Sequence, residues 1–294
     1  MSRKKAFTLI ELLVVISIIA LLLSVLMPAL NKAKKQAQDV ICKVNLKSIG
    51  QIATSYAIDS KDKLFPDWFS NPYYMNVLGQ NQSDALANCM WQYCTEAYWQ
   101  DPKILFCPSA TKVAGINGRT PDIRENSTPE DQIHWGHTTF AWRTPWARPL
   151  KATKKVCASS YGVNDFVATP YRSDPALQAS ENKVFWGSMR QSNASKIPLS
   201  FDCAWYSVMP RDSNTKPSPL VYDKNHTDGA GGGMDPVLLP RHRDGVNMLT
   251  MDISVKRTTL KSLWTYKWHK QFDTNNIWTR SGALWPEWMK KLKD

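Results

Sequence analysis

A continuous apolar stretch from Phe7 to Met27 (FTLIELLVVISIIALLLSVLM) constrains this chain more than any other feature. Wound as a helix, it extends about 31 Å, enough to cross the hydrocarbon core of a bilayer. Three cations precede it, Arg3, Lys4 and Lys5, and a lysine-rich stretch follows from Lys32. A secretory signal has a shorter apolar core and a small-residue cleavage site behind it; neither is found here. The leading cations stay on the cytoplasmic side, so the C-terminal bulk is expected to face outward.

One residue does not suit a plain anchor. Glu11 is a carboxylate inside a membrane segment, where a charge is costly and needs a partner. A bland reading has it snorkel to the interface. A sharper reading needs a cut between Ala6 and Phe7, which frees an amine close to the carboxylate's depth. Glu11 of one chain then neutralises the Phe7 amine of a neighbour, and any other stagger of the two helices leaves a charge uncompensated.

At Lys5-Ala6-Phe7-Thr8-Leu9-Ile10-Glu11-Leu12 the chain resembles the cleavage and methylation motif of type IV prepilins and type II secretion pseudopilins. The resemblance implies that a prepilin peptidase removes residues 1–6 and methylates the Phe7 amine. Ala6 stands where the family usually has Gly. Pro28 falls at the helix-bending proline of such pilins, and a proline opens the helix locally.

Beyond Pro28 the pattern stays helical but turns polar. Cys42, Leu46, Ile49, Ala53 and Tyr56 form one apolar stripe at helical spacing. The expected organisation is a leader over 1–6, a transmembrane helix over 7–30 and an amphipathic spine over 31–62. A globular domain then fills 63–294, with insertions at about 66–156 and 206–240. Residues 84–99 read as a helix carrying Cys89 and Cys94. Strands are expected at Ser160–Phe166, Lys183–Trp186, Ile197–Cys203 and Gly245–Met251, with Ser254–Arg257 pairing back as a hairpin. Residues 211–240, with GAGGG and several prolines, read as a loop. The fold class is α+β. The resemblance makes it pilin-like: a long N-terminal helix packed on an antiparallel sheet with large loop insertions.

Further segments are similar to a pilin-like subfamily found in planctomycetes and their relatives. These are Cys42-Lys43-Val44-Asn45-Leu46, Ile49-Gly50, Tyr56, Phe65-Pro66, Leu105-Phe106-Cys107-Pro108 and Ser160-Tyr161-Gly162-Val163-Asn164. The C-terminal element of that subfamily is called H-X9-DG; here it runs from His242 to Asp252, with Ile253 in place of the glycine. A glycine there serves a turn with positive φ, so Ile253 demands another turn type or moves the strain onto Asp252. The expected role is structural, with His242 and Asp252 tying adjacent strands together.

The six cysteines contain no C-x-x-C pair, which removes the simplest zinc and redox readings. In an exported domain an even count permits disulfides. Because Cys42 and Cys107 both recur in the subfamily's segments, Cys42–Cys107 is the first pairing to expect, and Cys157–Cys203 joins two strand regions. Cys89 and Cys94 are poorly spaced for a bond on one helix.

No nucleophile elbow, P-loop or dinucleotide fingerprint is present, and no enzymatic activity is expected. His134 and His137 read as a surface loop rather than a metal pair. No metal ligand set and no cofactor are assigned, although His226 with Asp223, Asp228 and Asp235 leaves a Ca²⁺ loop conceivable without EF-hand spacing. The net charge of +12 is spread over both ends of the chain with no basic block in the body, so nucleic acid is not an expected partner. The functional expectation is a pilin or pseudopilin-like structural subunit of a type II secretion or type IV pilus-like system, single-pass in the inner (cytoplasmic) membrane. Its partners are a prepilin peptidase and other pilin or pseudopilin subunits. The alternative is an envelope-tethered module binding glycan or protein. Its polysaccharide surface would use Trp135, Trp142 and Trp146, or Trp278, Trp285 and Trp288, unless these pack a core.

Overall fold

The computed structural model describes residues 9–65, 102–110, 112–113, 138, 140–143, 158–169, 182–212, 217 and 233–292. Cys89, Cys94, Cys157, the expected helix at 84–99, His134, His137, His226, Trp135 and Trp146 lie outside the described residues, as do Ala6 and Phe7; for Trp142 only the backbone is described.

Helix α1 (Leu9–Asp59) is one element of 51 residues and continues unbroken through Pro28. Its stripe folds as the spacing requires. Cys42, Leu46, Ile49 and Ala53 are buried, and half-buried Tyr56 meets Phe65 ring to ring at 6.5 Å. The helix ends where Lys61 and Asp62 both take positive φ. The Asp62 amide donates back to the Ala57 carbonyl, closing the last turn.

The stripe packs on a five-stranded sheet in the order β6-β4-β5-β7-β8. Its strands are β4 (Tyr161–Asn164), β5 (Pro198–Asp202), β6 (Ser207–Val208), β7 (Gly245–Thr250) and β8 (Val255–Thr259). Four of them pair antiparallel, close to the expected ranges, and edge strand β6 runs parallel to β4, so the sheet is mixed. A long helix on a sheet gives the α+β arrangement of pilins.

Strand β7 alternates cleanly. Leu249 joins the core under α1, while Val246 and Met248 join a second core on the far face. In β5 the register shifts between Pro198 and Ser200. That bulge lets Leu199 belong to the helix-side core and Phe201 to the far core, although residues two apart otherwise share a face. Gly245 is needed because a Cβ there would lie 2.2 Å from the Thr258 carbonyl oxygen.

Three expectations are corrected. Lys183–Trp186 forms no strand; Lys183 and Val184 lie in a turn, and the Trp186 amide donates to the Phe166 carbonyl. The second concerns the 66–156 insertion, where no strand was expected. It contributes β1 (Lys112–Val113) and β2 (Phe140–Arg143), which form a small sheet with β3 (Ala158–Ser159). The 206–240 stretch supplies β6 and buries Val237, Leu238 and Leu239, because its apolar VLL triplet outweighs the surrounding prolines.

The chain after β8 holds little regular structure beyond α2 (Glu287–Lys290), yet it closes the far face. Leu260, Leu263, Trp264, Trp268, Phe272, Trp278 and Met289 are buried there. Trp278 stacks with Trp285 at 5.2 Å, and Trp288 packs on the same core. Trp278 is buried in this core, while Trp285 and Trp288 are half-buried against it, as large apolar cover for the far face of the sheet requires.

Candidate functional site

Two places carry chemistry, one on each half of α1. Residues 9–37 are exposed throughout, including Leu21, Leu22 and Val25. The two serines of the apolar run turn inward along the helix. Ser17 donates to the Leu13 carbonyl and Ser24 to the Leu21 carbonyl, a habit that suits an apolar medium. Glu11 lies near the start of the described part of the helix. Pro28 sits inside the helix at the end of the apolar run. Among the described residues α1 is the one helix long and apolar enough to span a membrane.

The second place lies where α1 first meets the sheet. Asp39, Cys42 and Leu46 share one helix face at spacings of three and four. Opposite them come Asp202 from the end of β5 and His242 from the turn before β7. Cys107 arrives on the segment Leu105–Pro108, which α1 holds in place. Asn45 donates to the Phe106 carbonyl at 3.0 Å and Gln38 to the Pro108 carbonyl at 3.1 Å. Ligand atoms of Cys42, Cys107, Asp202 and His242 all lie within 4.8 Å of one another, and none of the four residues exceeds 5% exposure.

The contacts are specific. Cys107 Sγ is 3.2 Å from His242 Nε2, which is 3.3 Å from Asp202 Oδ2. Cys42 Sγ is 3.8 Å from both carboxylate oxygens of Asp202, and the Tyr161 hydroxyl is 3.4 Å from the same sulfur. His242 Nδ1 faces Asp39 Oδ1 at 3.2 Å. Asp39 also accepts from Asn247 at 2.9 Å and from Lys43 at 2.7 Å. Arg241, fully buried, donates to Asp202 at 3.0 Å and to the Ser160 carbonyl, while the Asn247 amide donates to Asp202 Oδ2.

These neighbours set the charges. Burial opposes ionisation of Asp202, but the His242 hydrogen bond and the Arg241 charge outweigh it and hold its carboxyl below the usual range. Burial likewise opposes the charged form of His242, and Asp202 with Cys107 reverses this, pushing it up to about 10. Burial and the Cys107 hydrogen bond push the Cys42 thiol well up. Cys107 goes the other way: despite burial, its hydrogen bonds to Cys42 and His242 draw it down. Cys107 is thus the thiol that ionises first.

The H-X9-D expectation is corrected. His242 does not tie to Asp252; it faces Asp39, Asp202 and Cys107. Asp252 closes the β7–β8 turn, accepting from Thr250 Oγ1 at 2.6 Å and from the Ser254 amide at 3.1 Å. Ile253, rather than Asp252, takes the strained conformation, with φ 61. Its side chain fills the space over Gly50, where a Cβ would sit 3.0 Å from Ile253 Cγ2, so contact with α1 holds the strain. The expected Cys42–Cys107 bond is likewise not formed: Cys42, Cys107 and Cys203 are free thiols, although the first two lie side by side. Cys203 stands apart on the far core, its thiol pushed up to about 12 by burial. Asp202, Arg241 and Asp39 were not singled out from sequence. Asp39 alone left a trace, one turn before Cys42 on the stripe.

Comparisons with known proteins bear on the first place. Residues 1–27 match the family model described as the prokaryotic N-terminal methylation motif. The chain is 45% identical over 60 residues, 20% of its length, to the "Type IV wide pilus major component PilA4" of Thermus thermophilus. It spans 46% of that relative, less than half. No solved structure matches. Motif and relative together support a prepilin-like N-terminal segment. The exposed apolar half of α1 and the matched motif fit membrane anchoring.

Proposed function

We propose that this chain is a pilin or pseudopilin-like structural subunit of a type II secretion or type IV pilus-like system. A prepilin peptidase removes residues 1–6 and methylates the Phe7 amine. Residues 7–30 then hold the chain in the inner membrane, with 31–62 as spine and 63–294 facing outward. During assembly Glu11 of one subunit neutralises the Phe7 amine of the next, and Pro28 adjusts the helix where it leaves the membrane. The observation that carries this reading is the exposed apolar half of α1, which coincides with the methylation motif.

The subunit is further proposed to be of the H-X9-DG type. Support comes from the segments behind that resemblance, which are distant in sequence and meet at one buried point: Cys42–Leu46, Leu105–Pro108, Ser160–Asn164 and the His242 turn.

Co-expression with a prepilin peptidase tests the reading. The intact mass should begin at a methylated Phe7, and a chain retaining residues 1–6 overturns it. Glu11→Val should be processed normally yet fail to co-assemble. Normal assembly of Glu11→Val removes the proposed role of Glu11.

A further inference from the structure

We propose that Cys42, Cys107, Asp202 and His242 form a binding site for one zinc-class divalent metal ion that pins the spine helix to the sheet. Two thiolates, an imidazole and a carboxylate are the donor types zinc takes, in the number a closed structural site requires. With bonds of about 2.3 Å to sulfur and about 2.0 Å to nitrogen and oxygen, a tetrahedral centre places S···N and S···O edges at about 3.5 Å and N···O at about 3.3 Å. The structure has Cys107 Sγ–His242 Nε2 at 3.2 Å, Cys42 Sγ–Asp202 at 3.8 Å and His242 Nε2–Asp202 Oδ2 at 3.3 Å. Each lies close to the edge its atom pair demands.

The surroundings fit the same ion. A metal-bound histidine commonly donates its other ring nitrogen to a carboxylate, which fixes its tautomer. His242 Nδ1 faces Asp39, itself held by Lys43 and Asn247. The charges also cancel. Two thiolates and Asp202 oppose the divalent ion and Arg241, and Asp39 is matched by Lys43, so nothing uncompensated stays buried. A disulfide between Cys42 and Cys107 would leave unexplained why His242 and Asp202 converge on the sulfurs and why Asp39 backs the histidine. The four ligands come from α1, the 105–108 segment, β5 and the turn before β7, so one ion cross-links four separate parts of the domain.

The test uses the full chain purified in detergent without reductant or chelator. About one zinc-class ion per chain is expected by elemental mass spectrometry. Exchange for Co²⁺ should give thiolate charge-transfer absorption and the visible bands of a tetrahedral ion, a readout that needs no variant. Cys42→Ser and His242→Ala should lose the ion, and Asp39→Asn should bind Co²⁺ about 10-fold more weakly or worse. A metal-free wild type in which non-reducing peptide mapping finds Cys42 joined to Cys107 overturns the proposal. So does a Co²⁺ signal that survives in Cys42→Ser. Leader removal is read separately, so failure here leaves the assembly reading standing.

Discussion

The two halves of α1 are the same secondary structure with opposite fates. Leu22 is 64% exposed, and Leu46, on the same helix, is fully buried. The downstream half finds its cover inside the chain, on β5 and β7. The upstream half carries a longer and more continuous apolar surface and has no cover within the described residues. Burying such a side chain contributes about 1.5–3 kcal/mol, and an exposed patch of this size marks a partner surface. Helix formation therefore does not distinguish the halves; what differs is whether the chain or its environment supplies the second surface.

The sharpest way to break that comparison is to truncate one leucine in each half. Leu46→Ala opens a cavity beneath the sheet and should cost about 2–5 kcal/mol in denaturant unfolding of the full chain in detergent. Leu22, 64% exposed, packs on nothing among the described residues, and Leu22→Ala should fall within about 0.5 kcal/mol of wild type. Equal losses would mean that the upstream half packs against the domain.

How much of this was legible in sequence follows the same division. The helix was readable because a continuous apolar run fills its first half and an apolar stripe spaced at three to four residues follows in its second. Strands β4, β5, β7 and β8 were readable from short runs rich in β-branched and aromatic residues. Strand β6 was not, since two residues carry no period. Lys183–Trp186 misled because an apolar run that fills a core need not join a ladder. At the buried cluster the resemblance already paired Cys42 with Cys107, but that His242 and Asp202 join them could not be read. His242 has Asp252 in sequence reach and meets Asp202 and Asp39 instead, contacts that only the tertiary fold creates. Asp202 sits in PLSFDCA with nothing to mark it. The missing C-x-x-C pair removed only the simplest, local zinc and redox readings, whereas these four residues are spread from residue 42 to residue 242.

A second, smaller test probes the contact that seats the buried half. Ile253 holds φ 61 while its side chain fills the space above Gly50, and Lys47 Nζ reaches its carbonyl at 2.6 Å. A non-glycine residue in this left-handed region costs about 1–2 kcal/mol. Ile253→Ala keeps that strain and loses the packing; Ile253→Gly loses the packing but relieves the strain. Glycine should therefore be the more stable of the two by about 1 kcal/mol, the reverse of the usual order in a strand or helix. Unfolding midpoints rank them directly, and an alanine variant more stable than the glycine one would show that the turn is not strained.

The smallest expected effect lies one residue earlier, in the same turn against the buried half. Slight burial opposes ionisation of Asp252, but hydrogen bonds from Thr250 and Ser254 outweigh it and hold the carboxyl below its usual range. A depressed folded-state value contributes stability that is fully present above the unfolded value of about 3.9 and is lost as pH falls through the folded value. Wild type should exceed Asp252→Asn in stability at neutral pH, and the gap should close below about pH 4. Because Asp252 is largely exposed, solvent screens the interaction, and the gap should stay under about 1 kcal/mol. Paired denaturation curves at neutral and acid pH measure it. A gap that holds constant with pH would assign the turn to backbone geometry alone and remove the carboxylate from what seats the spine.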